Sequence, residues 1–313
     1  MQNWIKKGLI YKPDGSFGWN KTHAHVVCAD TIDDNTIRIY YSARDEKGRC
    51  QASFLDLEKN DLSKIKYIHP NTILELGAKG TFDDCGIMPT WLLNHPNGEK
   101  WLYYIGWTVR NTIPYHNSIG LATSTDGINF TKKFEGPLIS TIAIEPYFSG
   151  SASIIYDKGI FKIWYLNCTH WHEAADGKME PCYHIKYAES ADGIYWNRQG
   201  KVAIEYLNAD EGGISRPTVL LEDGIYKMWF SFRSIDDYRE NTDRSYRIGY
   251  AESTDGINWI RNDQLVGLNV SAEGWDSKMI EYPLVIKQLD KKIMFYNGNG
   301  FGASGFGYAE FMN

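Results

Sequence analysis

The chain has 313 residues, of which 43% are apolar and 23% charged, with a net charge of −6 at pH 7. That is ample for a sizeable core, and the acidic balance argues against a nucleic-acid partner, which would favour a basic face, or an anionic membrane surface. No apolar run reaches the ~18 residues of a spanning helix, and the opening MQNWIKKGLIYKPDG lacks the apolar segment of an export leader, so a cytoplasmic location is expected.

In chain order, the first segment is Asn-Trp-Ile-Lys-Lys (3–7), a short amphipathic strand. HAHVVCA (23–29) and IRIYYSAR (37–44) follow as apolar and aromatic strands, and QASFLDLEKNDL, around Ala52, as a third. The same grammar returns four times. MPTWLL (88–93), WLYYIGW (101–107) and LATSTDGINF (121–130) form the second unit; SASIIY (151–156), FKIWYLN (161–167) and YAESADGIYW (187–196) the third. RPTVLL (216–221), YKMWFSFR (226–233) and YAESTDGINW (250–259) form the fourth; YPLVIK (282–287), KIMFYNGN (292–299) and YAEF (308–311) the fifth. β-branched and aromatic runs separated by Asp, Asn and Gly read as strands and turns, and no stretch carries helical periodicity.

The equivalent alanines Ala122, Ala188 and Ala251 lie 66 and 63 residues apart, with Ala52 70 before the first and Ala309 58 after the last. A period of about 63 residues signals a repeat architecture. Asp-Gly at 126–127, 192–193 and 255–256 marks a tight hairpin, and the outer strand begins at Phe130, Trp196 or Trp259. Four antiparallel strands per unit, five times, predict a single all-β domain over residues 1–313: a five-bladed β-propeller. The fifth unit lacks its outer strand, whereas Asn3-Trp4-Ile5-Lys6 matches Asn258-Trp259-Ile260-Arg261. The N-terminal strand is therefore expected to complete blade five and cover its edge. The five cysteines, Cys28, Cys50, Cys85, Cys168 and Cys182, show no ligand spacing; reduced thiols are expected and no metal or cofactor.

The first strand of each propeller blade lines the channel, so polar residues at its entrance mark the candidate site. They are His23 and His25; Asp83 and Asp84; Ser149 and Ser151, with Glu145 upstream; Ser215 and Arg216; Asp276 and Glu281. Carboxylates, histidines and an arginine converging on one axis are costly to bury without a purpose. A carboxylate pair facing a sugar ring is the equipment for glycosidic cleavage. Tyr41, Trp107, Trp164, Trp171 and Phe230 are candidates for stacking on a sugar, and Arg44, Arg216 and Arg233 for a cationic patch. Trp4, Phe130, Trp196 and Trp259 read as packing residues, and Asp126, Asp192 and Asp255 as turn residues.

The motifs TFDDCGIMP (81–89), SRPTV (215–219), the YAESxDGIxW strands and GWDSKMIEYP (274–283) together resemble the five-bladed propeller glycosidase superfamily, which includes glycoside hydrolase families 43 and 32 and the family 130 phosphorylases. The resemblance implies a carbohydrate substrate, with Glu281 as the acid that protonates the leaving oxygen and Asp84 as the second-blade carboxylate. The chain departs from those hydrolases in blade one, where Ala24-His25 replaces a catalytic Asp. Two chemistries stay open. Hydrolysis, the leading reading, uses Asp84 or Asp83 as base or nucleophile and Glu281 as acid, on a neutral or acidic glycan. Phosphorolysis uses inorganic phosphate cradled by His25, Arg44, Arg216 and Arg233. A non-catalytic carbohydrate-binding propeller is the third reading. His23, Trp107, Ser151, Trp171 and Asp276 complete the expected substrate-binding set.

Overall fold

The computed structural model describes residues 2–288 and 291–312. The N-terminal strand β1 (Trp4–Tyr11) precedes a run of hairpins. The first group is β2 (Thr22–Asp33), β3 (Thr36–Arg44), β4 (Cys50–Glu58) and β5 (Asp61–Ile68); the second is β6 (Gly86–Asn94), β7 (Lys100–Val109), β8 (Tyr115–Ser124) and β9 (Thr131–Lys132). The third is β10 (Ser149–Asp157), β11 (Ile160–Glu173), β12 (Met179–Ser190) and β13 (Val202–Ile204); the fourth is β14 (Glu211–Glu222), β15 (Ile225–Ser234), β16 (Arg247–Ser253) and β17 (Ile260–Arg261). The chain ends with β18 (Glu281–Gln288), β19 (Lys291–Asn297) and β20 (Phe306–Phe311).

Within each group the neighbouring strands are antiparallel. The first two groups share one sheet only through the single parallel pair Cys50↔Gly86, and the third and fourth only through Tyr183↔Gly213. The third sheet runs β1-β20-β19-β18. Its edge is the N-terminal strand, with Trp4 opposite Phe311 and Lys6 opposite Ala309. The two terminal strands thus lie in one sheet, and β1 covers the side of β20 that would otherwise be its edge. The first strands lie side by side in a closed cycle, β2 against β6, β6 against β10, β10 against β14, β14 against β18 and β18 against β2.

Apolar cores fill the gaps between consecutive groups. Tyr40, Phe54, Leu102 and Tyr104 bind the first group to the second. Tyr103, Ile154 and Tyr165 bind the second to the third, and Trp164, Val219 and Met228 the third to the fourth. Trp229 and Trp4 with Val285 bind the fourth to the last sheet, and Ile39 and Leu57 with Phe295 close the cycle. Sheet faces stacked this way explain why nearly every second strand reads as a buried aromatic run.

The repeated Asp-Gly turn is also a joint. Asp192 Oδ1 accepts from the amides of Ile194 and Tyr195 at 2.8 Å, and Ser190 Oγ from that of Gly193 at 2.9 Å. The buried carbonyl of Gly193 then accepts from Tyr103 Oη of the preceding group at 2.9 Å. Gly127 and Gly256 accept likewise from Tyr40 Oη and Trp164 Nε1 at 2.7 and 2.8 Å. In the third group the outer strand does not begin at Trp196. Arg198 turns inward to Glu145 and the Ser140 carbonyl, leaving a lone Glu189↔Asn197 bridge before β13 forms.

Candidate functional site

Each first strand breaks its register at an equivalent point: between His25 and Cys28, Pro89 and Trp91, Ser149 and Ala152, Ser215 and Thr218, and Glu281 and Leu284. Val26, Arg216 and Tyr282 there take φ of 54°, 51° and 54°, a region bulky residues avoid unless the surroundings force it. Pro217 and Pro283 follow, and proline suits a bulge because it has no amide to pair. The bulges bring Val26, Met88, Gly150, Arg216 and Tyr282, one from each first strand, to the wall of a single pocket of about 300 Å³. This is the small end of the range for ligand pockets.

The wall also takes Arg44, Trp107, Asn117, Tyr115, Tyr183, Arg239 and Tyr246. Trp107 Nε1, Asn117 Oδ1, Ser215 Oγ and Arg44 Nε are buried without a hydrogen-bond partner among the described residues. Buried polar atoms are rarely left unpaired, and four of them around one pocket form a ready donor and acceptor set. No Asp or Glu lines this pocket among the described residues. His25 lies in the wall, its Nε2 3.9 Å from Cys50 Sγ. Burial first, then the charge of Arg44, holds it well below its usual pKa, so the ring is neutral.

Glu281 is fully buried next to the wall residue Tyr282, and both its carboxyl oxygens lack a partner among the described residues. Burial pushes its acid well above the usual range, and the Tyr282 hydroxyl and the Arg239 charge offset this only partly. Burial thus favours the protonated, uncharged form of Glu281. Arg216 spans the middle of the cycle. It donates to the carbonyls of Thr90 on β6 at 2.6 Å, Ala152 on β10 at 3.3 Å and Val27 on β2 at 2.5 Å, while its own amide donates to Ser151 Oγ at 2.8 Å. Its two terminal nitrogens are committed to the floor of the pocket, while its Nε is buried without a partner among the described residues.

The sequence-derived set divides. His25, Arg44, Trp107, Ser151 and Arg216 do line the pocket. Asp84 does not: its Oδ2 accepts from the Gly80 amide at 2.9 Å within its own turn. Neither Asp84 nor Glu281 is itself a wall residue of this pocket. Asp83 is buried in a salt bridge to Lys132 at 2.7 Å and accepts from Tyr104 Oη at 3.0 Å. Asp276 repeats this with Lys6 at 2.6 Å and Tyr296 Oη at 3.0 Å. Glu145 repeats it with Arg198 and Tyr165 Oη, and Glu211 with Arg261 lying over Phe230. An acid before a first strand therefore ties an aromatic second strand to a basic residue at or near the outer strand.

The remaining expected residues stand off the pocket. His23 sits beside it, with burial lowering its pKa to about 4. Trp171 packs on Tyr115 and Phe148, with ring centres 5.6 and 5.7 Å apart. Arg233 lies under the tyrosines, 3.8 Å from the Tyr238 ring, and donates to the Pro181 carbonyl at 2.6 Å. Tyr282 was legible in principle, since it precedes Pro283 as Arg216 precedes Pro217. Arg239, Tyr238 and Tyr246 come from the loop before β16, the longest of the loops that join a second strand to a third, and its extra residues match no repeated motif.

The fold is similar to that of several solved glycoside hydrolases. A glycosyl hydrolase from Bacteroides ovatus superposes with a TM-score of 0.72 at 14% identity, covering 99% of this chain and 93% of that one. A thermostable family-43 glycoside hydrolase gives 0.66 at 15%, covering 96% and 91%. The β-fructofuranosidase BmSUC1 of Bombyx mori, a family 32 enzyme, gives 0.63 at 14%, covering 92% and 61%. No protein-family model matches the chain. In sequence it is 34% identical over 310 residues, 99% of both chains, to the uncharacterized protein Rv1502 of Mycobacterium tuberculosis H37Rv and to its counterpart MT1551 in strain CDC 1551. The chain belongs to the family of these mycobacterial proteins.

Proposed function

We propose that the protein is a five-bladed propeller, one domain over residues 1–313, that cleaves a glycosidic bond with its sugar in the central pocket. The observation that carries this reading is the fully buried acid Glu281, its carboxyl oxygens without a partner among the described residues and its protonated form favoured by burial, beside a pocket of unpartnered hydrogen-bonding groups and aromatic walls. A carboxylic acid kept protonated at pH 7 is equipped for general-acid work. In the hydrolytic step water attacks the anomeric carbon and gives its proton to neutral His25. The glycosidic carbon–oxygen bond breaks as the leaving oxygen takes a proton from the Tyr282 hydroxyl, which Glu281 replaces. Trp107, Asn117 and Ser215 bind sugar hydroxyls, and Arg44 favours a substrate carrying a negative group.

One observation favours a second reading. With no carboxylate in the wall and Arg44 in it, inorganic phosphate is a suitable nucleophile, and the product would then be a sugar phosphate. All five cysteines are unpaired, which supports a cytoplasmic setting for either. A glycoside screen with and without phosphate, reading free sugar and sugar phosphate separately, tests the proposal. Turnover lost in Glu281→Gln supports it. Binding without turnover in the wild type would make the protein a carbohydrate-binding propeller and end the catalytic reading.

A further inference from the structure

A second cavity of about 450 Å³ lies against the central pocket, and Arg239 and Phe301 line both. Its other wall residues include Lys12, Lys278, Ser245 and the glycine-rich loop between β19 and β20. Lys12 follows β1 and Lys278 precedes β18, so segments from opposite ends of the chain place two lysines in the wall of one space. Both lysines are exposed. Glu240 is the one carboxylate among the described wall residues, and Arg239 is already held by Glu180 at 2.9 Å. Ser245, only 5% exposed, has its hydroxyl buried without a partner among the described residues. An acidic protein that gathers Lys12, Lys278 and an unpartnered hydroxyl around one space offers a local anion site against its overall charge.

We infer that this outer cavity binds an anionic group, a phosphate or a carboxylate, carried by the same glycan whose sugar occupies the central pocket. The substrate is then at least two units long, and its charged unit lies beyond the Arg239–Phe301 wall. Lys12 and Lys278 supply the charge, Ser245 a directed hydrogen bond, and the shared wall keeps the two units in register. This inference rests on the reading of the central pocket as a sugar site.

Two-dimensional NMR of the full chain separates the two readings. The probes are inorganic phosphate and a panel of disaccharides in matched neutral and phosphorylated forms, trehalose and trehalose 6-phosphate among them. Phosphate is expected to shift the amides of Ser245 and Gly300–Ser304 in a saturable way, and the double variant K12Q/K278Q, altered only at exposed positions, to weaken that at least tenfold. One phosphorylated disaccharide is expected to bind at least tenfold more tightly than phosphate and also to shift the Trp107 indole. No saturable shift with phosphate, or a double variant that binds as the wild type does, overturns the anion site. A neutral disaccharide that moves Trp107 in that case leaves the sugar-binding reading standing. Phosphate bound in the outer cavity while no disaccharide moves Trp107 overturns the shared site together with the sugar-binding reading.

Discussion

The guanidinium of Arg216 meets the backbone carbonyl of Val27 at 2.5 Å, across the space enclosed by the first strands. The same group holds Thr90 and Ala152, so one side chain from β14 ties together β2, β6 and β10. Bulged strands expose carbonyls that no ladder partner can reach. An arginine with its donors in a rigid fork can satisfy several at once, which a lysine cannot.

Replacing Arg216 by methionine keeps much of the volume and leaves those carbonyls unpaired. Each unpaired buried acceptor costs ~1–3 kcal/mol, partly offset by no longer burying a charge. The expected loss is therefore ~2–4 kcal/mol, read as a lower urea midpoint. Arg216→Lys should recover only part of it. An unchanged midpoint in Arg216→Met would show that the tie contributes nothing to closing the cycle.

The acids before the first strands lead to a different expectation. Asp83 bonds Lys132 and Tyr104, away from the pocket. Asp83→Asn should lower stability by ~1–3 kcal/mol, the scale for loss of a buried charged partner, and leave kcat on any substrate the wild type cleaves within twofold. A large fall in kcat at unchanged stability would return Asp83 to the chemistry.

These two residues show what the sequence discloses and what it conceals. Repetition is visible because each unit must present the same faces to its neighbours: Tyr40, Tyr103 and Trp164 all reach a turn glycine of the next group. The strands, the joining of the two chain ends and the turn aspartates follow from that. The site does not, because a function sits where the repeat is broken. Position alone cannot tell Glu281, unpaired among the described residues, from Asp276, paired with Lys6, although both open the last unit. Part of that difference lies in Lys6, 270 residues from Asp276 along the chain. Arg239 and Tyr246 come from the longest of the loops that join a second strand to a third, whose extra residues match no repeated motif.

The turn glycines can be tested in isolation. Gly193 has φ of 72°, and an added Cβ would lie 2.9 Å from Tyr103 Oη; Gly159 has φ of 84° and open space around it. Both alanine variants incur the left-handed strain of ~1–2 kcal/mol. Gly193→Ala should lose ~1 kcal/mol more, because it also disturbs the joint to the preceding group. Equal melting temperatures for the two variants would mean that the tyrosine contact is dispensable.

Glu281 should leave a signature in stability against pH. Its folded pKa is raised, so its contribution is fully present below the unfolded value near 4.5 and is lost as pH rises toward the folded one. His23 and His25 act in the opposite sense. Their folded pKa values are lowered from 6.5, that of His23 to about 4, so stability is lost as pH falls below 6.5. Between pH 7.5 and 8, a full unit or more above 6.5, the histidines are almost wholly neutral in both states and Glu281 dominates among these three. There the wild type should lose up to ~1.4 kcal/mol per pH unit, the limit for one proton. Glu281→Gln cannot ionise, so its urea midpoint should stay level across this window and exceed that of the wild type at pH 8, even as turnover is lost. Parallel pH profiles for the two proteins would mean that Glu281 is ionised in the folded state, and the general-acid role would go with it.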